Sequence, residues 1–212
     1  YEIHHRLVGS EMCIRDRTII LYASNVDEQD SYIKAAESKG YKVLLLDSPI
    51  VPHLIQKLES KKENISFARV DSNSIDNLIK KEDNIISKLN DKEKDKLKNY
   101  IEAVIPKEKY TIQLEALDSK ELPFIITQPE FMRRMKDMQQ SGGNNMFGSM
   151  PEIHNVIINV NNDLVNTIFN SKSKVKRERL IKQSLDLARL SQNLLKGEEL
   201  TSFIKRSFDI IK

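Results

Sequence analysis

Two short apolar runs with a helical pattern between them limit the beginning of the chain to one kind of fold. Residues 18–23 (TIILYA) and 41–46 (YKVLLL) are almost continuously apolar and rich in side chains that favour strands. Residues 27–39 between them follow a helical pattern, which Gly40 ends. Buried strands that are joined through a helix pair in parallel. The sequence therefore predicts a parallel βαβ unit, to which residues 65–70 add a third strand.

A different pattern begins near residue 80. Residues 110–117 (YTIQLEAL) alternate polar and apolar side chains, as a half-buried strand does. Residues 124–126 predict its partner strand, and residues 153–160 predict a third strand that a short helix at 163–170 follows. A three-stranded α+β domain is therefore expected after the βαβ unit.

The composition excludes several classes of protein. The 212 residues carry 34 basic and 31 acidic side chains, a net charge of +3 that is too small to indicate nucleic-acid binding. A basic cluster at residues 172–179 includes Glu178 and lacks aromatic side chains, which favours a solvated helix entry over a nucleic-acid site. No run of about 18 apolar residues occurs, so the sequence predicts no spanning helix and no membrane partner.

The first seventeen residues differ in character from the rest of the chain. The stretch EMCIRDR at 11–17 resembles the translated end of a sequencing adaptor. We interpret residues 1–17 as a non-native segment, exclude them from the fold prediction and expect the native N-terminus to be missing. The single cysteine, Cys13, lies in this segment, so neither a disulfide nor a cysteine-based metal site is expected.

Five of the six methionines lie in one window of twenty residues, which combines a helical pattern with a Gly/Asn-rich loop (SGGNNMFGSM). Pro129 suits a first helical turn, so a helix is predicted over residues 129–140. Phe131, Met135 and Met138 form one apolar stripe on this helix, and Met132 lies at its edge. Two interpretations remain open: the stripe packs onto the sheet as core, or it is an adaptable apolar surface that binds partners.

Two amphipathic helices with broad apolar faces are predicted at the end of the chain, one over residues 179–196 and one from Leu200 onward. The faces require a partner, which is either the same helices of a second copy or the sheet of the same chain. The pattern alone leaves these two alternatives open. The apolar positions that would form an interface between copies are Leu180, Ile181, Leu187, Ala188, Leu194, Leu195, Leu200, Phe203, Ile204, Phe208 and Ile211.

The sequence contains no recognisable set of catalytic residues. His53 and His154 have no base or metal partner at a typical spacing, so no catalytic, cofactor-binding or metal-binding residues are expected. The alternative function is a nucleotide-binding α/β enzyme domain with a helical dimer appendage, which the βαβ unit favours. The loop at residues 24–27 (SNVD) argues against it, because it lacks glycine and carries an acid where a phosphate would bind.

Four motifs together resemble a known family. The stretches ILYASN, YKVLLLDSPI and PFIITQPEFMRRMKDMQQSGGNNMFGSMP, followed by the paired terminal helices, resemble the C-terminal part of the bacterial ninety-kilodalton heat-shock chaperones. The resemblance implies an α/β plus α+β fold class: a small parallel βαβ subdomain, then a three-stranded α+β domain that ends in a helical dimerisation bundle. Residues 18–79 would be the last subdomain of the family's middle domain, and residues 80–212 its dimerisation domain.

The resemblance also implies binding residues. The family's amphipathic helix, which contacts unfolded client proteins, corresponds to Phe131, Met132, Met135 and Met138. A second client-contacting patch of the family corresponds to His53 and Gln56, in the short helix after Pro52. The family's dimer bundle corresponds to the two terminal helices, which favours the interface between chains.

The family is known for an ATP-dependent stress response in the cytoplasm, and this resemblance sets the functional expectations. The full-length protein would bind ATP and Mg, but the nucleotide domain lies upstream of the matching segment. The fragment is therefore expected to hold no cofactor and to have no enzymatic activity. Its expected partners are a second copy and unfolded clients in a bacterial cytoplasm. Its role would be to supply homodimerisation and client binding.

Overall fold

The computed structural model describes residues 18–62, 64–74, 77, 79, 85–129, 132, 134 and 153–211. The segment 1–17 lies outside the described residues, and so does most of the predicted helix 129–140. The described part of the chain contains six strands and six helices. They are β1 Thr18–Ala23, α1 Val26–Ser38, β2 Leu44–Leu45, α2 Val51–Lys61, β3 Ile65–Arg69, α3 Asp91–Glu102, β4 Tyr110–Glu115, β5 Phe124–Thr127, β6 His154–Asn159, α4 Asp163–Asn170, α5 Lys174–Leu190 and α6 Gly197–Ile211.

Contacts divide the chain into two compact units. The first comprises Tyr1–Asn84 with Pro129–Gly148, and the second comprises Ile85–Gln128 with Ser149–Lys212. The domain division that the sequence indicates assigns the helix 129–140 to the second domain, and it stays a prediction.

The sheet of the first unit has the strand order β2-β1-β3, and both pairings are parallel. The predicted parallel βαβ unit and its third strand are therefore confirmed. One face of the sheet packs on α2, where Tyr22, Val51, Ile55 and Phe67 are buried together. The rings of Tyr22 and Phe67 meet edge to face, with 6.5 Å between their centroids.

The strand β2 differs from its prediction in length and in burial. Only Leu44 and Leu45 are extended, and they are 48% and 54% exposed. The prediction of a long buried strand is wrong because β2 lies at an edge of the sheet and pairs with β1 alone. Leu46, the next residue, contacts the core beside α2. The apolar run at residues 41–46 thus lies at the edge of the sheet, and only part of it is buried in the core.

The sheet of the second unit has the strand order β4-β6-β5. β6 lies in the middle, parallel to β4 and antiparallel to β5. The expectation that β4 and β5 pair with each other is therefore wrong, although both strands are present. The physical reason is that β6 carries the continuous apolar run, and a strand that is apolar on both faces occupies the centre of a sheet.

The core of the second unit surrounds β6. The side chains of Val156, Ile157 and Ile158 are completely buried although neighbouring residues of a strand point to opposite faces. Both faces of β6 are therefore covered. The helices supply the following completely buried residues: Leu97 and Ile101 from α3, Val165 and Ile168 from α4, and Ile181 from α5.

Two buried asparagines organise the loops at the end of β6. The side chain of Asn159 is fully buried; its Oδ1 accepts from the backbone N–H groups of Leu117 (3.3 Å) and Asn161 (3.0 Å), and its Nδ2 donates to the carbonyl of Asp118 (2.7 Å). Asn161 accepts from the backbone N–H of Lys88 at 2.8 Å and donates to the carbonyl of Leu117 at 3.1 Å. These bonds satisfy backbone groups of three loops that have no strand partner at these positions.

The terminal helices also differ from their predicted bounds. α5 begins at Lys174, so the basic cluster forms its first turns, and it ends at Leu190 and not at 196. Asn193 in the connection has a positive φ of 54°, a conformation that asparagine tolerates better than most residues and that does not continue a helix. Gly197, with a φ of 59°, begins α6. The connection is therefore a short turn and not a continuation of the first helix.

Replacing Asn159 with Ala should lower the free energy of unfolding by about 3 kcal/mol, because three buried backbone groups lose their partner. Asn170→Ala is the matched control, since Asn170 is exposed and its amide bonds only to the carbonyl of Asn166. The control should lose less than about 1 kcal/mol. Urea unfolding followed by circular dichroism measures both values, and equal losses would contradict the role assigned to Asn159.

Candidate functional site

The helix α2 presents the predicted client-contacting residues to solvent. Val51 and Ile55 are buried against the sheet, and this orientation leaves His53 and Gln56 exposed. Leu54 is also 46% exposed. The exposed side of α2 therefore combines polar and apolar side chains, as a surface that binds varied polypeptides would require.

A three-residue cluster joins the predicted amphipathic segment to α2 and β3. The guanidinium of Arg134 contacts the carboxylate of Glu59 through two hydrogen bonds, Nη1 to Oε2 at 2.8 Å and Nη2 to Oε1 at 3.2 Å. Nη2 also donates to the carbonyl of Phe67 at 2.9 Å. The N–H of Phe67 in turn donates to Oε1 of Glu59 at 2.8 Å. We call this arrangement the Arg134–Glu59 pair.

The Arg134–Glu59 pair covers part of an open sheet edge. β3 is an edge strand, and Phe67 directs its N–H and C=O away from β1 toward the two charged side chains. A carboxylate and a guanidinium thus provide the acceptor and donor that a neighbouring strand would otherwise provide. Edge strands in general need such protection against pairing with other chains.

Of the four residues predicted for client contact on the amphipathic segment, the structure describes only Met132. Phe131, Met135 and Met138 lie outside the described residues. Met132 and Arg134 are both helical, and Met132 is partly buried. Arg134 is a polar residue of the predicted helix, and nothing in the sequence indicates that Glu59 is its partner.

The proposed interface residues of the two terminal helices fall into two groups within one chain. Leu187, Ile204 and Phe208 are 52%, 45% and 63% exposed. The side chain of Ile211 is not described. The other seven positions are buried or partly buried in the chain itself. They are Ile181, Ala188, Leu195 and Phe203, which are buried, and Leu180, Leu194 and Leu200, which are intermediate.

A charged cluster connects α5 to α6. The carboxylate of Asp186, only 7% exposed, pairs with Arg189 at 3.1 Å and also with Arg206 of α6. Arg206 donates from Nε to Oε1 of Gln183 at 2.9 Å. Arg189 also pairs with Glu199, in the first turn of α6. The two carboxylates of Asp186 and Glu199 together balance the two arginines, and the Arg206–Asp186 and Arg189–Glu199 pairs join α5 to α6.

The Arg189–Glu199 pair lowers the pKa of a carboxyl group at the helix connection. The hydrogen bond from Arg189 lowers the pKa of the Glu199 carboxyl below its ordinary value of 4.5, and the positive charge of Arg189 lowers it further. Desolvation raises the pKa, but the hydrogen bond outweighs it. A carboxyl with a lowered pKa stabilises the fold while it is ionised.

The loop after β1 uses its backbone donors internally. The N–H groups of Ser24 and Asn25 donate to Oε1 of Gln29, at 2.8 and 3.0 Å. The N–H groups of Asp27 and Glu28 donate to Oδ1 of Asn25, the residue that caps α1. A phosphate at a helix N-terminus would need such donors. In this loop protein side chains already occupy them, which weakens the nucleotide-binding alternative.

Neither a metal-binding cluster nor a membrane-spanning helix is found among the described residues. No group of three or more His, Cys, Asp or Glu side chains in the described ranges could hold a metal ion. Among the helices that the structure describes, none is long and apolar enough to cross a membrane.

Comparison with known proteins connects these features to chaperones. No protein-family model matches the chain. Chaperone protein HtpG of Bacteroides thetaiotaomicron is 30% identical over 280 residues, which cover 100% of this chain and 41% of that protein. Chaperone protein HtpG of Porphyromonas gingivalis is 35% identical over 204 residues, which cover 94% of this chain and 29% of that protein.

Similarity over the full chain makes the protein a relative of molecular chaperones. More narrowly, the chain is similar to HtpG chaperones over its full length, and the resemblance drawn from the sequence motifs is confirmed. The chain spans about two fifths of the first relative's length (41%), which is consistent with a C-terminal part of such a chaperone.

Acid should weaken the connection between α5 and α6 through Glu199. The contribution of its carboxylate is complete above the ordinary pKa of 4.5 and is lost as the pH falls through the lowered folded-state value. The melting temperature of the unaltered chain should therefore exceed that of Glu199→Gln at neutral pH, and the difference should shrink between about pH 6 and pH 3. Thermal melts of both proteins across this range measure the effect.

Glu198→Gln is the matched control, because Glu198 is the exposed neighbour of Glu199 and has no ion pair in the described structure. A difference between the unaltered chain and Glu199→Gln that stays constant with pH would contradict the assignment.

Proposed function

We propose that the chain is the client-binding and self-associating part of an HtpG-type chaperone. The observation that carries this proposal is the similarity to HtpG chaperones along the full chain. The exposed apolar side chains on α2 and on the terminal helices support it, because a chaperone requires surfaces that accept unfolded polypeptides and a second copy.

The client surface would combine the Met-rich segment with the exposed side of α2. Methionine side chains are flexible and polarisable, so they adapt to partners of different shape. The residues proposed for client contact are Phe131, Met132, Met135, Met138, His53 and Gln56. His53 and Gln56 are exposed on α2, which is consistent with this role.

The dimer surface would be the exposed side of α5 and α6. Leu187, Ile204 and Phe208 leave apolar area in contact with water in the single chain, and association with a second copy would cover it. The buried members of the same helices hold the hairpin on its own sheet. The sequence left two alternatives open, packing on the chain's own sheet and packing on a second copy. In this proposal the terminal helices would do both, with a different face for each partner.

The remaining functional assignments follow from the family. We assign the ATP and Mg chemistry of a complete HtpG-type chaperone to parts of the protein outside the matched segment, and we propose no catalytic role for this fragment. The occupied donors after β1 support this assignment. We further propose that the protein works in the cytoplasm of a bacterium, as a stress-response chaperone.

Replacing Phe131, Met135 and Met138 together with Ser should weaken client binding about tenfold or more, because the apolar contact area of the stripe is lost. Fluorescence anisotropy with labelled, reduced and carboxymethylated α-lactalbumin, a permanently unfolded protein, measures the affinity. Leu122→Ser is the control, since Leu122 is 55% exposed and lies outside the segment. If the triple variant unfolds, the stripe is core and the proposal of a binding surface is wrong.

The double variant Leu187→Gln/Phe208→Ser should raise the dimer dissociation constant by about a hundredfold or more, because two large apolar contacts are removed. The fold should persist, since both side chains are exposed in the single chain. Sedimentation velocity across micromolar concentrations measures the constant. Val175→Ser is the control, because Val175 is 75% exposed on α5 but is not among the proposed interface residues. An unchanged dimer in the double variant would exclude this face.

A further inference from the structure

We propose that the open edge of β2 binds extended apolar segments of unfolded clients, which add to the first sheet as a further strand. The inference rests on the proposed client-binding function and gives that function a second site, which acts through backbone hydrogen bonds. None of the residues expected to contact clients lies on β2. The site consists of residues 42–47 and the first turns of α2, all of which the structure describes.

The outer edge of β2 carries unpaired backbone groups. β2 pairs with β1 along one edge, and its other edge faces no strand among the described residues. The N–H of Leu46 donates to the carbonyl of Ala23 at 2.8 Å, and the pairing directs the N–H and C=O of Leu44 to β1 as well. A trans peptide points its N–H and C=O in opposite directions, so the carbonyl of Val43 and both backbone polar groups of Leu45 face outward. None of these groups has a hydrogen-bond partner in the described part of the chain.

The opposite edge of the same sheet is protected. On β3, the outward N–H and C=O of Phe67 bond to the Arg134–Glu59 pair. The outward carbonyl of Arg69 accepts from the backbone N–H of Ser72 at 2.9 Å. Proteins protect edge strands because unpaired backbone groups attract other strands. The first unit therefore protects one edge of its sheet and leaves the other edge able to pair.

Apolar side chains lie at the open edge on both faces of the sheet. Leu44 and Leu45 point to opposite faces and are 48% and 54% exposed. The start of α2, which follows β2 after a short loop, adds Ile50 and Leu54, which are 65% and 46% exposed. β2 is short and offers few backbone bonds, so these side chains supply much of the contact area. The occupant is therefore a strand with apolar side chains on both faces, as a segment from the interior of an unfolded protein has.

Charges at the two ends of β2 favour a client segment over a second copy of β2. Lys42 precedes the strand, Asp47 follows it, and both are exposed. In an antiparallel pair, opposite residues either both face the partner strand or both face away. Because Lys42 and Asp47 are an odd number of positions apart, two copies of β2 cannot place them opposite each other. A client segment that begins with a basic residue and ends with an acidic one matches both charges in the antiparallel direction.

The test uses a labelled six-residue peptide with blocked ends, Lys-Val-Ile-Val-Ile-Glu, and fluorescence anisotropy with the full chain. With its first residue opposite Asp47 and its last opposite Lys42, its third and fifth residues lie opposite Leu45 and Val43. N-methylation of the third and fifth residues should weaken binding about tenfold or more, because it removes N–H groups that donate to β2. N-methylation of the second and fourth residues should change the affinity less than about twofold, because those N–H groups point away from β2.

Two variants of the chain examine the same edge. Leu45→Pro removes the outward N–H and should weaken peptide binding about tenfold or more. Leu44→Thr/Leu45→Thr keeps the backbone groups but removes apolar contacts, and it should weaken binding about fivefold or more. Labelled, reduced and carboxymethylated α-lactalbumin should bind both variants at least about threefold more weakly. Leu122→Thr is the control, since Leu122 is 55% exposed and lies on the second unit. Thermal melts verify that each variant is folded.

The two methylated peptides bind the unaltered chain, so their comparison is valid even where a variant fails to fold. If the unmodified peptide does not bind, if both methylated peptides bind like it, or if both folded edge variants retain full affinity for α-lactalbumin, the inference is wrong. Loss of the dimer in Leu45→Pro, measured by sedimentation velocity, would show that a second copy occupies the edge, and it would also overturn the inference.

The proposed function fails by a different result. It is wrong if the serine triple variant of the Met-rich segment binds α-lactalbumin like the unaltered chain. If the triple variant loses affinity while the edge variants do not, the proposed function stands without the site on β2.

Discussion

The second unit depends on one strand that is covered on both faces and bonded along both edges. β6 pairs with β4 on one side and β5 on the other, and residues of α3, α4 and α5 share its buried core. Such a strand has no tolerance for a register shift, because a shift by one residue would exchange its two faces. At the end of the strand, the side chains of Asn159 and Asn161 donate hydrogen bonds to carbonyl groups of the neighbouring loop and hold it in place.

The terminal helices have one side in the core of their own chain and another side in contact with water. The side that carries Ile181 and Ala188 completes the core of the second unit, while Leu187 and Phe208 remain in contact with water. The charged cluster around Asp186 fixes the two helices relative to each other. In the dimer that we propose, a face that is already rigid in the single chain would lose little conformational freedom on association.

Local patterns in the sequence were sufficient for elements with strong periodicity. β4 and α4 occur where alternation and capping residues predict them. The failures share one cause, which is that the outcome depends on distant neighbours. The short, exposed β2 results from its place at the edge of the sheet.

The same limit applies to the candidate site. His53 and Gln56 are exposed on α2, as contact with a client would require, but the sequence pattern alone did not indicate on which side of the helix they lie. The contact between Arg134 and Glu59 leaves no local signal, because an arginine on the polar side of an amphipathic helix is ordinary. Only the folded arrangement shows that this arginine closes an edge of a sheet.

The order in which the chain is synthesised delays the protection of the β3 edge by the Arg134–Glu59 pair. Phe67 and Arg134 are 67 residues apart. At about 5 to 20 residues per second, a ribosome needs roughly 3 to 13 seconds to synthesise the intervening chain. During that interval the strand and Glu59 already exist, while the guanidinium that completes the cover does not. Until Arg134 has been made, the outer edge of β3 can therefore pair with strands of other nascent chains. Several ribosomes on one messenger RNA would bring such chains close together and make this pairing more frequent.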